Sequence, residues 1–398
     1  IISKDRLQIT INLRKNVLFH DGTSFNSNAI KFTFDRFKRI GTMNYILGNK
    51  IKSIETPSEY SVIINLTKPS SSLNGLLTSV NLTPISPTFY KKYSDKFLNE
   101  KFVGTGKYVL NSFSNEVQSI DPNLNYWGEK PLNKGINFVG YSNSSSLFGA
   151  LKSNQIDVLL SNSIDDSQRK SLNNLSKNKQ FKEGNSPFTE LSFISLKTSS
   201  YPLSNLNLRL ALAKSLNRKL ISEKVSYGLR KPSRSIIPPI LKKDNQELWP
   251  KYDYLEARKL LQKENYCDGN ILKIPLTYRS NVPADKLIAL TWQEEIKNSL
   301  KDCIDIELNG VESTTVYKNL SLGIYTAVIL DWTGAYSDPE AYLTPLLSCN
   351  EIVDGICKKG ESVYSGSFWA SNKVESLFLE SEKISGIKRL EKLVEIEK

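Results

Sequence analysis

Ala327-Val-Ile-Leu-Asp-Trp-Thr-Gly-Ala-Tyr-Ser-Asp-Pro-Glu-Ala-Tyr-Leu-Thr-Pro-Leu-Leu347 is the stretch on which the fold turns. Its first half is apolar and β-branched, the composition of a buried strand. The run then gives way to Trp332-Thr-Gly-Ala-Tyr-Ser337, small residues flanked by aromatics. Asp338, Pro339 and Glu340 follow: an N-cap acid, a proline suited to the first helical position, and an acid near the positive end of the helix dipole. The stretch predicts a strand, a short loop and a helix. In α/β domains ligands sit outside the carboxyl ends of strands. Two aromatics and a backbone with little side-chain cover make Asp331, Trp332, Thr333, Gly334, Ala335 and Tyr336 the candidate binding wall. An ordinary strand-loop-helix corner has the same local pattern.

Upstream of this stretch, Ile271 to Thr277 reads as a strand, Ala284 to Leu300 as a helix and Ile304 to Leu308 as a second strand. A βαβ unit of this kind places its two strands parallel and side by side. Cys267 precedes the first strand and Cys303 the second, so the two are expected as a disulfide. Cys349 and Cys357 flank the short loop Asn350 to Ile356 and are expected as another. Further back, Leu191 to Leu196 is an apolar strand. Asn205 to Ile221 reads as one amphipathic helix with Leu208, Ala211, Leu212 and Leu216 on a face. Ser145 to Lys152 reads as a helix and Gln155 to Leu159 as a strand. Near the start, Leu7, Ile9, Ile11 and Leu13 alternate as one face of a strand. Asp21-Gly22 marks a turn, and Asn26 or Ser27 can cap a helix from Asn28 to Arg39.

The 398 residues suffice for two or three domains, and 39% hydrophobic with 10% aromatic residues place the chain among globular proteins. No apolar run approaches the roughly 20 residues of a membrane span. The chain opens in strand-like sequence and closes inside a helical pattern, so it reads as a fragment cut at both ends, with any signal peptide or lipid anchor outside it. The net charge is +12, from 53 basic and 41 acidic residues. The lysines are scattered, with no block of five or six like charges, so the excess reads as compositional bias and not as a nucleic-acid face.

A single histidine, His20, argues against His-rich metal sites and leaves one candidate for Ser-His or Cys-His catalysis. It sits between an apolar strand and a turn, with no acid-nucleophile pair nearby, and reads as structural. The acidic pairs Asp165-Asp166 and Glu294-Glu295 are the candidates for a carboxylate-dependent hydrolase, and both read as solvated helix or loop surface. Val103-Gly-Thr-Gly-Lys-Tyr108 is followed by a strand, not a helix, which excludes a phosphate loop. The even cysteine count, with no Cys-x-x-Cys, suits disulfides in an oxidising compartment.

The segment around Trp332 resembles the Trp-x-x-(Asp)-x-x-Asp/Glu-Pro motif of the family 5 solute-binding proteins of ABC importers, the oligopeptide- and dipeptide-binding proteins. The resemblance extends in order along the chain. Val17-Leu-Phe-His-Asp-Gly-Thr-Ser-Phe25 with its following helix is the most specific match. Gly104-Thr-Gly-Lys-Tyr108, Asn125-Tyr-Trp-Gly-Glu-Lys-Pro131, the helix from Asn205, Ile237-Pro-Pro239 and the helix Tyr252 to Glu264 are similar to the family's corresponding segments. The resemblance implies an α/β, two-lobed periplasmic-binding-protein type II fold with an extra small α+β domain. Residues 1–100 are then the extra domain, N-terminally incomplete, and 101–200 part of lobe one. Residues 201–398 are lobe two, without the C-terminal return to lobe one.

The function it implies is that of the substrate-binding component of an ABC importer. The protein would capture an oligopeptide-like solute between two lobes and deliver it to the membrane permease. It would be a monomer outside the cytoplasm, periplasmic or lipid-anchored, with no catalysis, no cofactor and no nucleic acid. A sugar or another small molecule in the same role is the alternative, and the single histidine argues against nickel. Peptide-binding members pair the solute's main chain with the strand that runs through the Trp, which here is the backbone of Asp331 and Thr333. Where members that grip a free α-amino group carry an aspartate, this chain has Ala335, and an aromatic found in some members falls at Ser313. A buried ammonium needs a counter-charge. Strand alternation puts Asp331, Thr333 and Ala335 on one face, so Asp331 is expected to provide it, with Asp338 occupied as the helix cap.

Overall fold

The computed structural model describes residues 1–41, 47, 50–93, 101–160, 164–242 and 246–398. By internal contacts the chain divides into two units, Ile1–Ser146 with Glu382–Ser385, and Leu147–Ser381 with Gly386–Lys398.

Among the described residues the first unit holds two antiparallel three-stranded sheets. In one, β1 (Gln8–Asn12), β2 (Ile51–Ser58) and β3 (Ser61–Leu66) lie in the order β1-β3-β2, with the hairpin's β3 in the middle. In the other, β4 (Tyr108–Phe113), β5 (Val117–Pro122) and β6 (Ile136–Val139) form a meander. The helix Ser27–Ile40 starts where expected, with the Asn26 side chain accepting from Asn28 N, and it buries Ala29, Phe34 and Phe37. His20 has a structural partner in the Gly104–Gly106 turn. Its backbone N donates to Gly104 O at 2.9 Å, and its ring Nε2 lies 3.1 Å from Gly106 O.

The second unit is built on a mixed four-stranded sheet of β7 (Glu190–Leu196), β8 (Leu272–Arg279), β9 (Ile304–Val311) and β10 (Ala327–Thr333), in the order β7-β10-β8-β9. The deciding stretch is therefore a central strand, antiparallel to β7 and parallel to β8. Its alternation explains its composition. Ala327 and Ile329 join the core formed with Leu208, Leu212, Leu261, Ile274 and Trp292, while Val328 and Leu330 face a second core with Val316, Leu320 and Tyr325. A strand covered on both faces reads as a continuous apolar run. The unit boundary at Ser146/Leu147 falls inside the 101–200 segment, and β7 shares its sheet with strands from beyond residue 201.

β8 and β9 are parallel neighbours in register from Leu272↔Ile304 to Arg279↔Val311, joined by the helix Pro283–Ser299. Both expected disulfides are present, Cys267–Cys303 and Cys349–Cys357, the second spanning the hairpin of β11 (Glu351–Val353) and β12 (Ile356–Lys359).

Three readings from sequence need correction. The amphipathic run Asn205 to Ile221 is two helices, Leu206–Ser215 and Arg218–Ser226. Leu216 is extended and Asn217 caps the second helix through its bond from Leu220 N, a local side-chain contact that competes with helix continuation. Gln155 to Leu159 forms no strand, and Val158 is exposed, because no neighbouring strand pairs with it among the described residues. Asp166 is not solvated surface. It is buried between Arg169 and Arg230, at 2.9 and 3.2 Å, while Asp165 caps the helix Asp166–Lys177.

Candidate functional site

The backbone at the end of β10 has one occupied side and one open side. Lys197 N donates to Thr326 O at 3.0 Å, which sets the phase of the β7–β10 ladder. In an antiparallel pair successive residues turn their amide and carbonyl groups alternately toward and away from the partner. Val328, Leu330 and Trp332 therefore present theirs to β7, and Asp331 and Thr333 present theirs to the opposite side. β8 lies on that side, but its register with β10 ends at Val328↔Thr277, whereas β7 continues to Thr333↔Glu190. The last residues of β10 thus carry an open edge at the carboxyl end of a central strand.

The six candidate residues do not share one environment. Thr333 is exposed, and the other five are partly buried. The Trp332 indole N–H donates to Ala341 O at 2.8 Å, which pins the ring against the helix Glu340–Leu347. Gly334 lies against Tyr342: a Cβ there would sit 2.7 Å from the ring, so the close approach requires glycine. The Tyr342 hydroxyl donates to Thr189 O at 2.7 Å, and burial pushes its pKa up against a backbone hydrogen bond from Gly334. The strand ends at Thr333, so the alternation that groups Asp331 with Ala335 does not reach Ala335, which lies in the bend beyond. The helix begins at Glu340, one residue later than Pro339. Asp338 Oδ1 still accepts from Glu340 N at 2.9 Å, and both its oxygens also accept from Arg389 at 2.8 and 3.0 Å.

Asp331 is not a free carboxylate. Its Oδ2 accepts from Arg279 Nη2 at 2.8 Å and its Oδ1 from the Tyr317 hydroxyl at 3.2 Å. Arg279 closes β8 and is held by Asp285 in the first turn of the following helix, Nε to Oδ2 at 2.7 Å and Nη2 to Oδ1 at 3.1 Å. Its Nη1 donates to the Tyr317 hydroxyl at 2.8 Å. Tyr317 comes from the helix Ser313–Asn319, one turn beyond Ser313. Burial would lower the Arg279 pKa, but the two carboxylates outweigh it and hold the guanidinium well above its ordinary value. On Asp285 burial wins over Arg279, and its carboxyl is pushed above the usual range. Arg279, Asp285 and Tyr317 were not singled out from the sequence. Each lies on a different element, and the one local signal is an arginine and an acid six residues apart across the β8-to-helix turn.

Three comparisons relate the chain to known proteins. The family description "Bacterial extracellular solute-binding proteins, family 5 Middle" matches residues 2–354. The chain is 26% identical over 305 residues to the glutathione-binding protein GsiB of Salmonella choleraesuis strain SC-B67, across 75% of this chain and 58% of that protein. It is 24% identical over 347 residues to the probable D,D-dipeptide-binding periplasmic protein DdpA of Escherichia coli K12, across 86% of this chain and 65% of that protein. The chain thus spans less than two thirds of the length of these relatives. Among solved structures, the periplasmic binding protein DppA of Helicobacter pylori in complex with peptide STSA superposes with a TM-score of 0.80 at 21% identity, over 100% of this chain and 79% of that one. The fold is the one expected from the sequence, the α/β fold of the two-lobed periplasmic binding proteins.

Proposed function

The chain belongs to the bacterial extracellular solute-binding proteins of family 5, and from that premise we propose that it is the substrate-binding component of an ABC importer for a peptide-like solute. The observation that carries the solute class is the open edge at the end of β10. Backbone groups of Asp331 and Thr333 face a side where β8 has ended, and an extended peptide main chain is the ligand whose own amides and carbonyls match such an edge. The Trp332 ring and the glycine-lined approach at Gly334 bound that edge. A sugar offers hydroxyls but no repeating donor-acceptor line of the same spacing. The role requires capture without turnover, in the periplasm or another extracytoplasmic space, and transfer to permease subunits in the membrane. A lipid anchor belongs to the same reading.

Thermal-shift titration with short peptides against a panel of sugars tests it. Anything that binds the native state alone raises Tm, by about 2.7 kcal/mol of added stability at 100 times Kd. Peptides are expected to raise Tm and to be recovered intact after overnight incubation. Stabilisation by sugars alone, or hydrolysis of the peptides, would overturn the proposal.

A further inference from the structure

We infer that Pro345 is a positioning residue for solute binding: it withholds the helical donor from Ala341 O and so leaves that carbonyl to hold the Trp332 indole. The inference rests on the solute-binding role proposed above and adds to it a residue outside the binding wall.

In an α-helix the N–H of residue i donates to the carbonyl of residue i−4. In the helix Glu340–Leu347 the donor for Ala341 O would be residue 345, and that residue is proline. Proline has no N–H, and in a helix interior its ring also crowds the carbonyl four residues back. Ala341 is 3% exposed, so its carbonyl needs a partner other than bulk water. The Trp332 indole N–H is such a partner, at 2.8 Å. A donor missing from the helix is thus replaced by one from the end of β10. Alanine at position 345 would return an N–H aimed at the same oxygen. A carbonyl oxygen can accept two bonds, but a helical donor draws it back toward the helix axis and weakens the bond from outside.

The surroundings let the helix give up an internal bond and keep its place. Eight residues with an internal proline form a poor helix on their own. Contacts from distant parts of the chain hold this one. Arg389 spans its start, donating to both Asp338 oxygens and to Glu340 Oε2 at 2.8 Å. Leu343 lies in a core with Leu393 and Ile396 of the helix Gly386–Glu397, and the Tyr342 hydroxyl donates to Thr189 O. Ala341 O therefore stands at a fixed point against the end of β10. In the role proposed above, the ring that it orients borders the open edge at Asp331 and Thr333. A wall oriented before the solute arrives spares the cost of ordering it on binding.

Two readouts test this, one without solute. Heteronuclear NMR follows the indole N–H, assigned to Trp332 by its loss in Trp332→Phe, and calorimetric titration with tri-alanine follows binding. In Pro345→Ala the Trp332 indole N–H is expected to exchange with solvent about tenfold faster. Tri-alanine should bind about fivefold more weakly, because the ring must be ordered on binding. Tm should be unchanged or higher, since the helix gains a bond and loses an internal proline. A residue that only packs would not lower affinity while sparing stability. In the Trp332→Phe background, Pro345→Ala should leave affinity nearly unchanged, as expected if it acts through the ring. Unchanged indole exchange in Pro345→Ala would overturn the inference and leave the peptide role standing, as would an equal loss of affinity in both backgrounds. A lower Tm with unchanged affinity would assign Pro345 to packing alone and overturn it too. Failure of the wild type to bind tri-alanine would overturn the peptide role, and the part of this inference that concerns the solute with it.

Discussion

Arg279→Met removes the cation that the described residues set against Asp285, which is almost wholly buried. Asp285 keeps its place in the first turn of the helix Pro283–Ser299, with a side chain 3% exposed, and loses the guanidinium that bonds both its oxygens. Breaking a buried pair by removing one partner costs about 3–5 kcal/mol, because the remaining charge is left uncompensated. Asp331, about one third exposed, stays hydrated and adds little. For a body of a few hundred residues each kcal/mol moves Tm by about 2–4 °C, so the expected loss is about 6–20 °C near neutral pH.

The pH dependence has a definite sign. In the wild type, burial pushes the Asp285 carboxyl up while Arg279 pulls it back. Without Arg279 burial acts unopposed, and the folded-state pKa rises further. An acid whose folded pKa exceeds its unfolded value contributes stability that is complete below the unfolded pKa and is lost as pH rises through the folded one. The variant is therefore nearest to wild type at about pH 4 and falls behind progressively toward pH 8. Thermal unfolding followed by circular dichroism across that range reads the effect. Asp285→Asn added to Arg279→Met removes the buried charge and should recover most of the loss. A Tm deficit of the same size at every pH, or a double variant no better than the single, would refute the reasoning.

Three further outcomes follow from other parts of the structure. Reaction of unfolded, unreduced protein with a thiol reagent should find no free thiols; replacing Cys267 and Cys303 by serine should cost about 4 kcal/mol, and replacing Cys349 and Cys357 about 2.5, from loops spanning separations of 36 and 8 residues. Four titratable thiols would reject both bridges. Gly334→Ala places a methyl group 2.7 Å from the Tyr342 ring and should destabilise by about 1–3 kcal/mol, an overpacking cost read as a lower Tm; an unchanged Tm would show that the ring moves aside freely. Solute binding should change Trp332 emission, whereas Trp292, buried with its indole N–H on Ser215 Oγ, stays silent. A signal that survives in Trp332→Phe would place the reporter elsewhere.

The parts of the fold legible in the sequence are those set by local pattern. The continuous apolar run Ala327 to Leu330 announced a strand covered on both faces. The βαβ rule then carried the parallel pairing of β8 with β9 and, through it, the Cys267–Cys303 bridge. Asn26 and Asp338 acted at helix starts much as their residue types predict. The illegible parts depend on partners distant in sequence. β7 pairs with β10 across more than a hundred residues, and nothing in Leu191 to Leu196 names that partner. Asp166 looked solvated until Arg230 came to it from the bend beyond the helix Arg218–Ser226. Asp331 looked free until Arg279 and Tyr317 converged on it from two other elements. At Leu216 a single capping side chain, Asn217, outweighed a helical period that runs on past it.

Amide hydrogen exchange resolved to single residues, with and without saturating tri-alanine, tests the account at its centre. Asp331 and Thr333 present their amides to the open side of β10, while Trp332 presents its amide to β7. Bound peptide should slow exchange at Asp331 and Thr333 strongly and leave Trp332 nearly unchanged. Binding that slows none of the three, or slows Trp332 as much as its neighbours, would contradict backbone pairing along this strand.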